Sequence, residues 1–204
     1  NVLFAGGQTS DYETHDMYVT YDKVTNVDVY TSTLTHSTAP DLSGARNNIA
    51  ATTVGNYALF AGGNSSNDTV AYVSTVDCYN ASLTKTTVNN LSVARDGIAE
   101  ASIGTYCIFA GGDKWTEDSN MTTVDCYNSS LTKVTITALR SAKTKATGVS
   151  INNNMLIAGG YKNRDTTASN DIPTNTVDCY NASLTRTTIT PMTKTLAESK
   201  GCNN

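Results

Sequence analysis

The stretch Leu59-Phe60-Ala61-Gly62-Gly63 decides the fold, because the same pattern of apolar residues followed by Ala-Gly-Gly returns throughout the chain. Repetition at a fixed interval is the signature of a repeat architecture, in which each unit is one supersecondary structure. The four copies end at glycine pairs that lie roughly fifty residues apart: Gly6-Gly7, Gly62-Gly63, Gly111-Gly112 and Gly159-Gly160.

A second element follows each glycine pair, namely a Val-Asp-x-Tyr sequence with a Leu-Thr pair starting four residues after its Tyr. Its copies are Val27–Tyr30, Val76–Tyr79, Val124–Tyr127 and Val177–Tyr180. Four such units fill the 204 residues, so we expect one domain. The predicted units are 1–38 together with 195–204 (repeat 1), 39–88 (repeat 2), 89–137 (repeat 3) and 138–194 (repeat 4).

Each unit is predicted to contain four short strands, A to D. In repeat 2 they are expected at 48–54, 57–61, 75–79 and 83–88, with Gly55-Asn56 as a tight turn. Consecutive apolar residues in strand B indicate burial on both faces. Enrichment in Thr, Tyr, Val and Ile favours an all-β protein. Four-stranded antiparallel sheets of this kind, repeated along a chain, are typical of the blades of a β-propeller.

The succession of Leu91-Ser92-Val93-Ala94-Arg95, strand A, an apolar strand ending in Gly-Gly, and Val-Asp-x-Tyr resembles the kelch repeat. It is most similar to the divergent kelch-like repeats of bacterial and phage-encoded surface proteins. The resemblance covers essentially the whole chain and implies a β-propeller of four kelch-like blades. In strand D, where kelch units usually carry a Trp, this chain has Thr86, Val134 and Thr187. Smaller β-branched residues must therefore pack the blades together.

The C-terminal segment is expected to complete the first blade. Leu196-Ala197-Glu198 matches Ile98-Ala99-Glu100, at the start of a strand A. Placed beside the strand that begins at Val2, it would close four blades into a ring within one chain. The alternative is that the chain is one stretch of a longer propeller, since kelch rings more often hold six or seven blades.

Charge and hydropathy exclude two classes of partner. The formal net charge is −4, only 16% of residues are charged, and no Lys/Arg cluster is present, so binding to nucleic acid is not expected. The longest apolar runs are too short for a membrane-spanning helix. No signal-peptide pattern is found.

Enzymatic motifs are missing as well. The chain has no Gly-rich phosphate loop, no Gly-x-Ser-x-Gly and no His-Glu-x-x-His, and its two histidines, His15 and His36, both belong to repeat 1. We therefore predict no enzymatic activity, no cofactor and no metal. One alternative is a cation held by four repeat-equivalent carboxylates. The favoured interpretation is that each accepts hydrogen bonds from turns in its own repeat. The four are Asp28, Asp77, Asp125 and Asp178.

The cysteines indicate packing and not cross-linking. Cys78, Cys126 and Cys179 are repeat-equivalent, and Val29 takes the same place in repeat 1. A position that accepts valine needs a small apolar side chain, which free cysteine provides. Five cysteines in all give no disulfide framework.

The candidate binding face follows from the strand order. In a four-stranded meander the B–C and D–A connections emerge on one side, and the B–C segments here differ in length and chemistry, as recognition loops do. The basic residues have a structural alternative, which is to brace neighbouring blades through backbone carbonyls, and Trp115 could form a lid over its own blade. The predicted ligand-binding residues are Tyr12, Tyr18, Tyr72, Trp115, Tyr161, Arg46, Arg95 and Lys143.

These observations predict a non-enzymatic recognition module that binds a glycan or a protein, as part of a bacterial or phage surface or tail structure. A structural or assembly role within a larger complex is the alternative, and a propeller enzyme ranks third. Fold alone does not separate these functions.

Overall fold

The computed structural model describes residues 1–13, 18–65, 71–114, 120–162 and 172–202, with the backbone alone for 11–13 and 18–20. All helical or extended elements expected of a folded domain are β-strands in this part of the chain, with no helix among the described residues. This confirms the all-β prediction. No helix long and apolar enough to cross a membrane occurs in the described residues.

The strands follow the four repeats in order. Repeat 1 contributes β1 (Val2–Ala5), β2 (Gln8–Glu13), β3 (Tyr18–Lys23), β4 (Val27–Tyr30) and β5 (His36–Thr38). Repeat 2 contributes β6 (Ala50–Val54), β7 (Tyr57–Ala61), β8 (Val76–Tyr79) and β9 (Lys85–Thr86). Repeat 3 contributes β10 (Ala99–Ser102), β11 (Tyr106–Ala110), β12 (Val124–Asn128) and β13 (Lys133–Val134). Repeat 4 contributes β14 (Thr147–Ile151), β15 (Asn154–Ala158), β16 (Tyr161–Lys162), β17 (Ile172–Pro173), β18 (Val177–Asn181) and β19 (Arg186–Thr188).

These strands form one principal antiparallel sheet per repeat, numbered sheets 1 to 4. Sheets 2, 3 and 4 are the meanders β6-β7-β8-β9, β10-β11-β12-β13 and β14-β15-β18-β19, whose strands correspond to A, B, C and D. Sheet 1 has three strands, β1-β4-β5, which correspond to B, C and D. Two hairpins, β2-β3 and β16-β17, are inserted between strands B and C of repeats 1 and 4. The strands predicted for repeat 2 are confirmed, with differences of one or two residues at four of their eight ends.

The core lies between successive sheets. Leu59 and Cys78 of sheet 2 belong to one buried cluster with Phe109 and Tyr127 of sheet 3. Sheet 3 presents Ile108 and other residues on its opposite face to sheet 4. A strand that packs on both faces needs consecutive apolar residues, so this arrangement explains the composition of the B strands.

The glycine pair at the end of each strand B is required by a close backbone approach. Gly62 and Gly63 have φ angles of 67° and 103°, in the left-handed region. A Cβ atom on Gly62 would meet the carbonyl oxygen of Arg95 at 2.5 Å. Since Gly63 donates its amide hydrogen to that same oxygen, the pair holds the D–A connection against the end of strand B. The same bond recurs at the other three glycine pairs.

The turn between strands C and D explains the repeated Leu-Thr pair. Asn80 accepts hydrogen bonds from the amides of Ser82 and Thr84 through its side-chain oxygen. The turn forces Leu83 into the left-handed region, at a φ of 62°. Asn128 and Asn181 make the same contacts in repeats 3 and 4. Leucine rarely adopts a left-handed backbone. Side-chain hydrogen bonds of this Asx type stabilise the turn and so compensate for the strain at the leucine.

The C-terminal segment does not take the place expected for it. Among the described strands, β1 is an edge of sheet 1, and no partner from the C-terminal segment lies beside it. Instead, Leu196 accepts a hydrogen bond from Gly160, as Arg95 does from Gly63. Leu196 is thus equivalent to Arg95 and not to Ile98, so the predicted match was wrong by three residues. Local similarity in apolar and acidic residues gave that match, whereas the backbone hydrogen bond determines the register.

The cysteine prediction is confirmed. Cys78, Cys126 and Cys179 are buried and form no disulfide. Val29, at the equivalent place in repeat 1, is buried too. Burial raises the pKa of the Cys78 thiol to about 11, so this group stays protonated and behaves as a small apolar side chain.

Candidate ligand-binding cleft

The D–A and B–C connections meet at one end of the sheets, as the strand order predicts. Reciprocal backbone hydrogen bonds of 3.2 and 3.0 Å join Asp96 to Asp113. Bonds of 3.0 and 2.9 Å join Thr144 to Tyr161 in the same way. These bridges fix the backbone geometry of one face of the chain. Ligand binding is predicted on that face.

The three basic residues predicted on this face are buried in ion pairs. Each lies on a D–A connection and reaches the strand C aspartate of its own repeat. The distances are 2.8 Å for Arg46–Asp77, 2.9 Å for Arg95–Asp125 and 3.3 Å for Lys143–Asp178. Arg95 also donates hydrogen bonds to the carbonyl oxygens of Phe109 and Gly111. These side-chain contacts lie within one repeat and do not join neighbouring repeats, so they brace each D–A connection against its own sheet. Contact with a ligand by these residues stays an untested prediction.

The aspartates are satisfied within their own repeats. Asp77 accepts hydrogen bonds from the amide and hydroxyl of Ser43, and it forms a second ion pair with Lys85 of strand D at 2.8 Å. Burial on its own would raise the pKa of Asp77, but the hydrogen bonds from Lys85, Ser43 and Arg46 outweigh it and lower the pKa to about 2. Asp125 is held in the same way by Ser92, Arg95 and Lys133. Within the described residues, no cluster of three His, Cys, Asp or Glu side chains is placed to hold a metal ion.

The predicted aromatic residues are spread over the connections. Tyr161 and Tyr72 are half-buried, in backbone bridges to Thr144 and Asn64 respectively. Tyr12 and Tyr18 lie towards the tip of the β2-β3 hairpin, where the backbone alone is described. Trp115 lies outside the described residues.

A cleft opens where the A strands of sheets 2, 3 and 4 begin side by side. Its volume is about 710 Å³. The walls come from residues 48–50, 96–98, 100, 145–148 and 198–201, with Asp113 from a B–C connection. The last of these stretches is the C-terminal segment, which occupies the position of a further D–A connection. Because D–A connections build the walls, the cleft belongs to the predicted binding face.

Four equivalent residues in the left-handed conformation form the corners of the cleft. Lys145 donates its backbone amide to the Gly97 carbonyl at 2.8 Å, and Glu198 donates to the Lys145 carbonyl at 3.1 Å. The side chains of Lys145 and Glu198 form an ion pair of 2.6 Å. The hydrogen bond and the positive charge of Lys145 together lower the pKa of Glu198. The four corner residues are Asn48, Gly97, Lys145 and Glu198, with φ angles of 54°, 61°, 51° and 54°.

Glu100 is one of two half-buried carboxyl groups in the cleft wall, the other being Asp96. Glu100 lies on β10, directly against Gly148 of β14, where a Cβ atom would overlap the Glu100 carbonyl oxygen. The missing side chain at Gly148 therefore allows the two A strands to approach. Burial raises the pKa of Glu100 to about 7, although the charge of Lys200 acts in the opposite direction. Near neutral pH this carboxyl group can both accept and donate hydrogen bonds.

Tyr161 does not line the cleft, but it contacts Lys145, which does. The Lys145 ammonium lies 6.0 Å from the centroid of its ring. A cation at this distance from a ring face is attracted to it, so the contact links Tyr161 to the corner of the cleft.

The polar residues of the cleft were not predicted from the sequence; they include Asp96, Glu100, Lys145, Glu198 and Lys200. The sequence does contain a pattern that marks these residues. These charges come after the position held by Arg46, Arg95, Lys143 and Leu196 in the four connections. The residue at each such place changes from one repeat to the next, whereas its neighbours recur. Glu100, for example, is equivalent to Ala51 and Gly148, since the three face Phe109, Phe60 and Ile157 across the A–B pairs.

Comparison with known proteins establishes the fold alone. No protein-family model matches the chain, and no curated protein matches it. The structure is similar to a solved structure described as "Structure of YjhT", with a TM-score of 0.74. The match covers 98% of this chain and 70% of that chain at 9% sequence identity.

Proposed function

We propose that this chain is a kelch-like β-propeller domain that recognises a short neutral carbohydrate in the cleft between its A strands, without catalysing a reaction. The similarity to kelch-like repeats of bacterial and phage surface proteins makes a cell surface or a virion the proposed setting. The observation that carries the proposal is the polar cleft built from four D–A connections.

The propeller architecture is supported by the relation between successive sheets. The A–B turns of sheets 2 and 3 are joined by the Gly55 amide, which donates to the Gly104 carbonyl at 2.7 Å. The A strands of sheets 3 and 4 are joined by the Ser102 amide, which donates to Ser150 Oγ at 3.1 Å. Each of sheets 2 and 3 is covered on both faces by its neighbours. Radial repetition of four-stranded sheets is the architecture that combines these two features.

The size and chemistry of the cleft favour a sugar. Ligand pockets for small molecules commonly have volumes of about 300–1,000 Å³, and this cleft lies within that range. Carboxylate and amide oxygens accept hydrogen bonds from hydroxyl groups, and lysine donates them. The acidic wall residues (Asp96, Glu100, Asp113 and Glu198) outnumber the lysines (Lys145 and Lys200), which disfavours an anionic ligand. Tyr161, beside the wall residue Lys145, supplies an aromatic ring next to the cleft.

An assembly role is the second candidate, and a separate observation favours it. Large apolar side chains are exposed on the first and last sheets, including Phe4 and Ile151. On sheet 1 the exposed rings of Phe4 and Tyr30 are in edge-to-face contact, with centroids 6.1 Å apart, and exposed apolar surface of this kind favours contact with another protein.

The proposal is tested with a panel of neutral and acidic oligosaccharides, followed by calorimetry on the ligands that bind. Neutral sugars are expected to bind, and Tyr161→Ala and Trp115→Ala are expected to weaken binding by about 1–3 kcal/mol each, as for an anchor residue. Ser82→Ala and Ser130→Ala in the C–D turns are the matched controls, because these turns lie at the other end of the sheets. Absence of any sugar ligand would overturn the proposal. So would loss of affinity in the turn variants while both aromatic variants bind like the parent.

A further inference from the structure

Glu100 occupies a place at which the other repeats carry almost no side chain. The residues equivalent to it, each five places after the residue whose carbonyl accepts a hydrogen bond from a glycine pair, are Ala51, Gly148 and Gly201. Gly148 and Gly201 line the cleft together with Glu100 and add no side chain to it. The carboxyl group is therefore an addition to the repeat and not a part of its framework.

The carboxyl group of Glu100 lacks the partners that the other acidic groups of the cleft have. Of the described groups, only its own backbone amide bonds it. Glu198 forms its ion pair of 2.6 Å, and Asp96 accepts a hydrogen bond of 3.1 Å from the side chain of Asn48. Asp113 is not free either.

Burial without donors changes the acidity of Glu100. The loss of water raises its pKa to about 7, although the charge of Lys200 and the Glu100 amide act in the opposite direction. A polar group that is withdrawn from water and left without partners destabilises a fold, so its presence in a folded domain calls for an explanation. A ligand that brings the missing hydrogen-bond donors supplies one.

We propose that Glu100 determines the specificity of the cleft by accepting hydrogen bonds from two neighbouring hydroxyl groups of a sugar ring. This inference rests on the proposed function, since it concerns the same cleft and the same class of ligand. The two oxygens of an ionised carboxyl group accept hydrogen bonds side by side, and hydroxyl groups on adjacent ring carbons can donate them. Because a site built to bind a hydroxyl group rejects the analogue that lacks it, sugars without this pair should bind poorly.

Binding of this kind is coupled to the charge of Glu100. Hydrogen bonds from hydroxyl groups to an ionised carboxyl group are stronger than those to a neutral one. The bound sugar should therefore lower the pKa of Glu100 from its value of about 7 in the free chain. By linkage, affinity should be full above pH 7 and should weaken as the pH falls through 7.

Among the described residues, no strand packed against Glu100 brings another titratable side chain to the cleft. Strands β6 and β14 contribute Ala50, Thr147 and Gly148 to its wall, and Phe109 lies opposite Glu100 on β11. The titratable groups of the wall come from the connections and the C-terminal segment, namely Asp96, Asp113, Lys145, Glu198 and Lys200.

Two of these groups help to isolate the effect of Glu100. Lys145 lowers the pKa of Glu198, so Glu198 is ionised throughout the range near pH 7. Lys200 lowers the pKa of Glu100 through its positive charge. Lys200→Gln should therefore shift the pH dependence of binding to higher pH.

Calorimetry with neutral trisaccharides of glucose, galactose, mannose and N-acetylglucosamine tests the inference above and below pH 7. For the trisaccharide that binds the parent most tightly, affinity should fall about tenfold as the pH drops below 7. Glu100→Gln should bind it about tenfold more weakly than the parent above pH 7 and show no such pH dependence. Asp41→Asn is the matched control, since Asp41 is an exposed carboxyl group on a D–A connection that does not line the cleft.

Deoxy analogues of that trisaccharide identify the two hydroxyl groups. Removal of either one should weaken binding to the parent about tenfold and have much less effect on binding to Glu100→Gln. The NMR signal of the Glu100 carboxyl carbon, identified by its absence in Glu100→Gln, should titrate at lower pH when the trisaccharide is bound.

Failure of this inference can be told apart from failure of the proposed function. If a trisaccharide binds and Glu100→Gln matches the parent at every pH, the role of Glu100 is overturned while the proposed function stands. The same holds if the affinity of the parent rises as the pH falls, because the carboxyl group would then act as a neutral donor. If no neutral sugar binds the parent at any pH, both are overturned.

Discussion

Arg95 and Asp125, thirty residues apart in the chain, form an ion pair of 2.9 Å in which the two side chains are 0% and 3% exposed. The pair joins the D–A connection before sheet 3 to strand C of that sheet. Ser92 and Lys133 bond the same carboxylate, so its burial is compensated by four polar partners, counting the amide and the hydroxyl of Ser92 separately. The arrangement makes the D–A connection, which also forms a wall of the cleft, a rigid part of the sheet.

Removing one partner of this pair should destabilise the chain strongly. Arg95→Ala leaves a buried carboxylate without its guanidinium, and the loss in unfolding free energy is expected to be about 3–5 kcal/mol. Urea unfolding followed by tyrosine fluorescence measures it. Lys145→Ala, which breaks the exposed Lys145–Glu198 pair, should cost at most about 1 kcal/mol. Equal losses in the two variants would contradict the structural role of the Arg95–Asp125 pair.

The close approach of sheets 3 and 4 at Gly148 should not tolerate a methyl group. Gly148→Ala forces the new Cβ into the backbone of Glu100, so β10 and β14 must separate. We expect a loss of about 1–3 kcal/mol or more in unfolding free energy, as for other overpacked sites. Gly44→Ala is the control, because nothing lies within 4 Å of the position of its Cβ. A Gly148→Ala chain as stable as the control would show that the strands do not meet there.

The pKa of Glu100 should appear in the pH dependence of stability. Because the folded-state pKa of about 7 exceeds the ordinary value of 4.5, the folded chain retains a proton that the unfolded chain releases between these values. This contribution to stability is fully present below pH 4.5 and is lost as the pH rises through 7. Relative to the parent, Glu100→Gln should therefore gain about 1–3 kcal/mol of stability across that window.

Unfolding free energies of parent and variant at several pH values check this expectation. Glu198→Gln is the control, since the pKa of Glu198 is lowered and its titration lies on the acidic side of the window. Parallel curves for Glu100→Gln and the parent would mean that Glu100 is not desolvated in the cleft.

Deletion of residues 195–204 should weaken the hydrogen bonding at the end of strand B in sheet 4 and leave sheet 1 unchanged. The Gly160 amide donates to the Leu196 carbonyl at 2.8 Å, so its hydrogen exchange should accelerate in the truncated chain. Gly63 and Gly112 make the same bond to Arg95 and Lys143, and their amides are internal controls. Faster exchange along β1 with no change at Gly160 would restore the earlier expectation that this segment covers sheet 1.

Much of the fold could be predicted from local pattern. The glycine pairs need left-handed backbone and space beside strand B, and only glycine meets both conditions, so they mark each repeat in the sequence. Consecutive apolar residues such as Leu59 and Phe60 predicted strands covered on both faces. Substitution of valine for cysteine at position 29 was enough to predict that Cys78 and its equivalents are buried and free.

The amino-acid sequence by itself determined the repeat, the strands and the face to which the D–A and B–C connections belong, because all three follow from periodic patterns a few residues long. Tertiary structure alone decided which charges are buried and which line the cleft. Arg95 and Lys145 both lie on D–A connections, but Arg95 is enclosed between strands B and C, whereas Lys145 lies at a left-handed corner exposed to solvent. The surroundings of Glu100 were likewise decided by Gly148, forty-eight residues later, since burial depends on how closely two sheets approach.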